Sequence, residues 1–522
     1  MDSCWFLHSK FHRPHPVGFE LRAGVVSRCG FDTSSRTWPD PARSDKLDYD
    51  CVGKSGRRGF SDPEEYTMTP PRISSAQPTF LQSDRPLARA IRPIIRFSHI
   101  EAAGGIVLVI ATLVALIWAN SPWKHAYESL WSTGVRFEVG SFSFSEDVGH
   151  VVNDLLMAVF FFVVGMEIKR ELVTGELRDR RAVALPAMAA LGGMVVPAAI
   201  YLAFNAGGPG SHGWGVPMAT DIAFTLGVVA LLGPRVPPAV KILLLTLAIV
   251  DDIGAIVVIA VFYTAQVEFR FVAAAAVIAG VVWIMHRAQI VYPVMYVVAG
   301  LALWLAVYES GIHATIAGVV MGLLTPARPA QTELEAEELV DVLDNVADIQ
   351  ADQVRATAIL IRGSVSACDR LIDSLHPWTS YLIVPVFALA NAGIPLSSEA
   401  ISSPSAVLAG VAVALVVGKF VGVSAFSWIA VRLGIGRLPD EVRWGHVLGV
   451  AAVAGIGFTV SLFIAGLAFD DPALRTDAKI GTLLASLVAA AVGTIVLVIV
   501  GRSAPTTITD TGVLDAELDD VV

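Results

Sequence analysis

Charge is what this chain has little of. Asp, Glu, Lys and Arg together make up 16% of its 522 residues, where a soluble domain carries about a quarter. That deficit excludes a fully solvated globule. Cysteine is scarce as well: Cys4, Cys29, Cys51 and Cys368 show neither paired nor metal-type spacing, so no disulfide framework is expected. No basic excess is present. The formal net charge is −10, with much of the acid in loops and the tail, and it gives no ground for a nucleic-acid partner. What is abundant is apolar: 54% of residues are hydrophobic and mean hydropathy is +0.64. The apolar residues fall into blocks of about 17–25, long enough to cross a hydrocarbon core of about 30 Å. The expectation is an all-α polytopic membrane protein in a lipid bilayer.

Residues 1 to about 85 are polar, rich in Pro, Ser, Arg and Asp, and lack sustained periodicity. They predict a disordered cytoplasmic extension. Cys4, His8, His12 and His15 fall within it and read as accidents of composition rather than a metal site. The stretch has no basic start followed by an apolar run, so it is not a signal peptide, and Met68 is a candidate alternative start. Residues 86–502 form the expected membrane domain, and 503–522, ending in "LDAELDDVV", a disordered tail.

Twelve apolar spans are expected, at about 99–119, 148–166, 184–205, 216–232, 239–263, 270–286, 291–308, 312–324, 379–394, 405–430, 445–468 and 480–500. Lys and Arg in the flanks set the orientation. Basic residues precede the first span (Arg85, Arg89, Arg92, Arg96) and follow the second (Lys169, Arg170, Arg178, Arg180, Arg181). More lie between spans four and five (Arg235, Lys241), six and seven (Arg287), and ten and eleven (Arg432, Arg437, Arg443). The intervening "NAGGPGSHGWG" and "GIPLSSEAISSPS" carry none. This alternation places both termini in the cytoplasm.

Two connections stand apart. "VRFEVGSFSFSED" alternates apolar and polar residues about Gly-Ser, which predicts an external β-hairpin over 135–146. Residues 325–377 form a long acidic cytoplasmic loop. Leu339, Val342, Leu343, Val346 and Ile349 recur in it at helical spacing, as in a surface helix.

A charge at mid-membrane costs about 2.5–3.5 kcal/mol on insertion scales and marks an ion path, a proton relay or a buried pair. The spans contain Asp154, Asp221, Asp251, Asp252 and Lys419, with Glu167 and Glu171 at the inner end of the second. Asp251 and Asp252 are adjacent in "LAIVDDIGAIVVIA" and diverge by about 100° on a helix. They cannot share one partner on one face: one can bind a cation while the other pairs with Lys419. Two spans also carry helix breakers, "GVPMATDIAFTLGV" with Pro217 and "VAGIGFTVSLFIAG" with Gly455 and Gly457. Interrupted helices in corresponding places of two halves point to a site where they cross; close helix packing is the plainer reading of the glycines. At such a crossing Asp221 offsets positive half-helix ends and Lys419 negative ones.

The motifs "NDLLMAVFFFVVGMEIKRELVTGEL", "ATDIAFTLGVVALLG", "LAIVDDIGAIVVIA", "SGIHATIAG", "HPWTSYLIVPVFALANAG" and "GIGFTVSLFIAGLAF" run in order from about residue 98 to 500. In these the chain resembles the NhaA-type bacterial Na⁺/H⁺ antiporters. The resemblance implies an inner-membrane, electrogenic, pH-regulated carrier exchanging cytoplasmic Na⁺ or Li⁺ for external H⁺. It implies no cofactor, and two inverted three-helix repeats, spans 3–5 and 10–12. It further implies a homodimer formed through the hairpin. Residue by residue, it makes Asp252 the centre of the cation and proton site and Asp251 its neighbour, paired with Lys419. Thr220, Asp221 and Thr459 become supports, and Asp154, Glu167, Arg170 and Glu171 become a cytosolic funnel linked to pH response. His313 matches a position tied to pH behaviour, while a packed polar residue at a helix end fits it equally well. The long N-terminal extension and the expanded acidic loop depart from the family pattern.

Rival readings are weaker. An intramembrane aspartyl protease needs two acids facing each other, commonly in Tyr-Asp and Gly-x-Gly-Asp contexts; here the contexts are "ATDIAF" and "IVDDIG". A channel builds rings around an open pore, which a lysine at the site opposes. A K⁺-selective or broader cation/proton antiporter stays open as an alternative.

Overall fold

The computed structural model describes residues 103–502 apart from 140–141, 265–266, 289, 291, 330–364, 396–403 and 440. The N-terminal extension with Cys4 and its histidines, the helical pattern at 339–349 and the 503–522 tail lie outside the described residues.

The described chain is helical almost throughout. In order it runs α1 (Ala103–Ala119), α2 (Lys124–Trp131), strands β1 (Gly134–Val139) and β2 (Phe142–Asp147), then α3 (Val148–Val173) and α4 (Arg180–Asn205). After a 3₁₀ segment, Pro209–Met218, come α5 (Ile222–Leu231), α6 (Pro238–Phe262), α7 (Phe269–Arg287), α8 (Pro293–Glu309) and α9 (Thr315–Leu324). The chain ends with α10 (Ala367–Trp378), α11 (Val384–Asn391), α12 (Ala406–Arg432), α13 (Trp444–Val453), α14 (Phe458–Ala468) and α15 (Pro472–Arg502). Among the described residues, six helices are long and apolar enough to cross a membrane, or nine if each bent pair is one span. α8 and α9 are shorter apolar helices.

Each expected span overlaps a helix, and the differences have local causes. α15 begins at Pro472, two turns before the expected 480. Pro suits a first helical turn, and the Ala473 N–H donates to Asp471 Oδ1 at 2.8 Å; the charges of "LRTDAK" hide this turn from a hydropathy window. α10 starts inside the expected acidic loop, capped by Ser366, whose Oγ accepts from the Asp369 N–H at 3.0 Å. The two strands pair antiparallel, from Gly134 opposite Asp147 to Val139 opposite Phe142. Asp147 then caps α3 by accepting from the His150 N–H at 2.7 Å.

The helices pack in two sets. In one, α4 lies on α6 and α12, and α15 on α12, α13 and α14. The α4–α12 contact is backbone to backbone: a Cβ on Gly422 would fall 2.1 Å from the Gly192 carbonyl, the small-residue packing that membrane helices use. In the other set α3 lies on α9 and α10, α1 on α11, and α7 on α8. There a Cβ on Gly318 would fall 2.0 Å from the Ala158 carbonyl. The sets meet along α1 with α5, α11 with α14 and α3 with α6.

Candidate functional site

Both breaker-bearing spans break. Pro209–Met218 meets α5 at 45°, and α13 meets α14 at 45°. In the first, Pro217 closes a 3₁₀ turn and the chain is extended at Ala219 and Asp221. In the second, Gly455 and Gly457 are needed for space rather than for unusual backbone angles. A Cβ on Gly455 would lie 2.7 Å from the Leu415 carbonyl, and one on Gly457 would lie 2.3 Å from Ser461 Oγ and 3.1 Å from the Ala219 carbonyl.

The breaks satisfy each other, as a buried break must. The Asp221 N–H donates to the Ile456 carbonyl at 2.7 Å. Asp221 Oδ1 accepts from the Phe224 N–H at 2.9 Å, and Oδ2 accepts from the Thr459 N–H at 2.9 Å and its hydroxyl at 2.7 Å. One carboxylate thus sits at the N-termini of α5 and α14, where each helix presents about half a positive charge.

The second acid is held from across the first helix set. Lys419 is fully buried; its ammonium pairs with Asp251 Oδ2 and donates to Thr220 Oγ1 at 3.0 Å. The Thr220 hydroxyl lies 2.7 Å from Asp251 Oδ2 and 2.9 Å from the Ala454 carbonyl, so its single proton serves one of them at a time. A π turn, Ala414–Gly418, immediately precedes Lys419; such single-turn insertions concentrate at functional positions.

Asp252 is 3% exposed. Its Oδ1, and the Oδ1 of Asp251, have no hydrogen-bond partner among the described residues. Buried carboxylate oxygens are rarely left so. Thr220, Asp251 and Lys419 form one hydrogen-bonded group and Asp221 and Thr459 another; the two join through the Thr220–Asp221 backbone, with Asp252 beside them on the next face of α6. No cluster of three or more His, Cys, Asp or Glu among the described residues has metal-holding geometry.

The remaining sequence-derived residues are not hydrogen-bonded into this network and fall in two places, although Glu167 lies near enough to Asp252 to act on it electrostatically. Glu167, Arg170 and Glu171 occupy the last turns of α3; Arg170 Nη2 is 3.9 Å from Glu171 Oε1, and Glu171 lines a surface cavity of about 600 Å³ with Thr174, Gly175, Arg178 and Asp179. Asp154 is thirteen residues earlier (167 − 154), roughly 20 Å along the same helix at 1.5 Å per residue. It lies at the hairpin end with His150 and Glu146, where Tyr308 donates to Glu146 Oε1 at 2.5 Å. A funnel lined by both Asp154 and Glu167 would run along that length of α3. His313, between α8 and α9, donates from Nε2 to the Tyr263 carbonyl at 2.6 Å, beyond the end of α6. It ties helices together at the hairpin end and does not touch the carboxylates.

Sequence reasoning missed Lys479. It lies on α15, with Nζ 3.2 Å from Asn391 Oδ1. The signal was there: one more residue on the expected twelfth span includes it.

The geometry agrees with what comparison finds. The profile of the family described as Na⁺/H⁺ antiporter 1 matches residues 95–497. The chain is 48% identical over 422 residues to the Na(+)/H(+) antiporter NhaA 3 of Frankia alni, covering 80% of this chain and 90% of that protein. It is 46% identical to the Na(+)/H(+) antiporter NhaA of Rhodopirellula baltica over 78% of this chain and 94% of that protein. A third relative, the Na(+)/H(+) antiporter NhaA 2 of Myxococcus xanthus, is 45% identical over 84% of this chain and 94% of its own length. In this family the ions are transported substrates, not cofactors. The chain belongs to the Na⁺/H⁺ antiporter 1 family: it is a multi-pass membrane protein and a secondary transporter, not an enzyme.

Proposed function

We propose that Asp252 is the shared seat of cation and proton in an electrogenic exchange of cytoplasmic Na⁺ or Li⁺ for external H⁺. The observation that carries the reading is the pair of buried carboxylate oxygens without hydrogen-bond partners among the described residues, Oδ1 of Asp251 and of Asp252, beside a lysine whose ion pair is with Asp251. A deprotonated Asp252 offers oxygens to a small cation. A protonated Asp252 does not, and competition for the same oxygens couples the two fluxes. Asp251 and Lys419 titrate as a pair, so their protons belong to the pair rather than to either residue. If that pair also takes up a proton as the cation leaves, more than one H⁺ enters per cation and the exchange carries charge. The inward proton gradient then expels sodium.

The chain sits in the bacterial inner membrane with both termini cytoplasmic, following the alternation of basic loops. Glu167, Arg170 and Glu171 form the cytosolic entry and its pH response, in support of sodium and pH homeostasis. Two copies associate through the 135–146 hairpin. Proton flux in proteoliposomes carrying the full chain, with Na⁺, Li⁺ and K⁺ compared at several pH values, tests the reading. Exchange with Na⁺ and Li⁺ that shifts with membrane potential supports it. Exchange driven equally by K⁺, or insensitive to potential, overturns selectivity or electrogenicity respectively.

A further inference from the structure

At the hairpin end the two helix sets are tied together by side chains. Lys479 of α15 donates to Asn391 Oδ1, the last residue of α11, at 3.2 Å. The Asn391 amide donates from Nδ2 to Asn153 Oδ1 at 2.7 Å and to the Phe387 carbonyl at 3.1 Å. Asn153 lies on the π turn Val152–Leu156 of α3. The amide is used from both ends, which fixes its orientation: oxygen toward the ammonium, nitrogen toward Asn153. α15 belongs to the set that carries the carboxylates; α11 and α3 belong to the other.

Two further contacts join the sets at the same end. Ile480, next to Lys479, packs with Ile394 and Leu408 in a small buried apolar cluster. His313, leading into α9, donates to the carbonyl of Tyr263 at the end of α6. The carboxylate network of Asp251, Lys419, Thr220, Asp221 and Thr459, by contrast, lies on elements of the first set and the breaks that cross within it. It can stay intact while the sets move against each other.

The acceptor chemistry separates Lys479 from Lys419. Among the described residues no carboxylate lies within ion-pair distance of Lys479; its partner is a neutral amide. A buried ammonium locked to a carboxylate is hard to separate. One held by an amide at the mouth of a seam exchanges that partner for water at little loss, because water restores the hydration of the charge.

We propose that Lys479, Asn391 and Asn153 form a latch that favours the closed hairpin end of the seam, and that this end opens only when the latch is released. This rests on the reading above, in which the carboxylate site is presented to the two sides in turn, and names the groups that part. Lys479 is a positioning residue: it touches no transported ion and acts through the relative placement of the helix sets.

The test uses the full chain in proteoliposomes, with Cys4, Cys29 and Cys51 changed to Ser. Lys479→Cys and Asn391→Cys are introduced together and joined by a bifunctional thiosulfonate, with the bridge verified by mass. Joining should lower Na⁺-driven proton flux by about tenfold or more, and a reductant should restore it. Full flux in the bridged protein overturns the latch. So does loss of flux in the unbridged pair while the parent transports, since opening needs no lysine. A parent without flux overturns the antiport reading instead. Lys479→Met provides a second measure: removing the latch depopulates the state open away from the hairpin. The KM for Na⁺ applied on that side should rise about three- to tenfold at nearly constant kcat, because apparent affinity scales with the competent fraction. Lys479→Arg should retain the parental KM. An unchanged KM in Lys479→Met overturns the proposal.

Discussion

Lys419 and Lys479 both lie within helices of the carboxylate-bearing set, and their partners differ. Lys419 is fully buried and bound to Asp251 and Thr220, two groups of its own set. Lys479 reaches across the seam to an amide of the other set. The difference separates two requirements of a carrier. The site holds its lysine in a fully buried position, where a carboxylate compensates for desolvation. The seam needs a contact that forms and breaks, and a neutral acceptor serves it. The same residue type is thus fixed in one place and releasable in the other.

The comparison breaks most severely at the carboxylates. Asp252→Asn keeps the shape of the side chain and removes its charge, and should lower Na⁺-dependent proton movement in everted vesicles by about a hundredfold or more. That corresponds to losing roughly 2.7 kcal/mol or more of coupling. Normal insertion with preserved exchange would remove Asp252 from the mechanism. Next in size is the stability difference between the lysine partners. Asp251→Asn leaves Lys419 charged and uncompensated, and breaking such a buried pair costs about 3–5 kcal/mol. Lys479→Met should cost about 1–3 kcal/mol, the loss of one hydrogen bond to an amide. Melting of the two purified variants in detergent, read beside the parent, checks the order. Equal shifts would show that the two lysines are held alike.

A smaller effect concerns the crossing. Gly457→Ala places a methyl 2.3 Å from Ser461 Oγ and 3.1 Å from the Ala219 carbonyl. It should reduce exchange by about tenfold, on the scale of strain of 1–3 kcal/mol for overpacking, and adding Ser461→Ala should recover most of the loss. Failure of the second change to help would move the cause away from Ser461.

The smallest effect is a control for thiol experiments on the latch. Cys368, on α10 outside the membrane spans, donates to the Met166 carbonyl at 3.1 Å, and burial pushes its thiol up to about 11. A raised thiol pKa means less thiolate at neutral pH. Maleimide labelling at pH 8 should be about a hundredfold slower than for an ordinary exposed thiol, and should climb with pH until about 11. Rapid labelling at pH 8 would show that α10 leaves the bundle readily.

The carboxylates, Lys419 and the crossing were legible because charge and helix breakers are conspicuous in apolar sequence. Asp221, Asp251, Asp252 and Lys419 needed only hydropathy and the energy of burying charge to stand out. The role of Gly455 and Gly457 was half legible: the break was expected, but the Leu415 and Ala219 carbonyls pressed against them come from distant elements. The latch was not legible. Asn153 and Asn391 are neutral residues 238 positions apart, and nothing local says that they meet. Lys479 was lost because "LRTDAK" looks like loop to a window that averages hydropathy, although Asp471 and Pro472 announce a helix start. Asp154 was grouped with Glu167 by resemblance alone, and the thirteen residues between them put the two about 20 Å apart along one helix.

The shared seat at Asp252 is tested most directly by counting protons released when sodium binds. Isothermal titration of the purified protein with Na⁺, in two buffers of different ionisation enthalpy and with choline as the control cation, gives that count. The parent should release protons as it binds Na⁺, and Asp252→Asn should show neither the binding heat nor the release. Sodium binding to the parent without proton release, or the same release from Asp252→Asn, would contradict competition at this carboxylate.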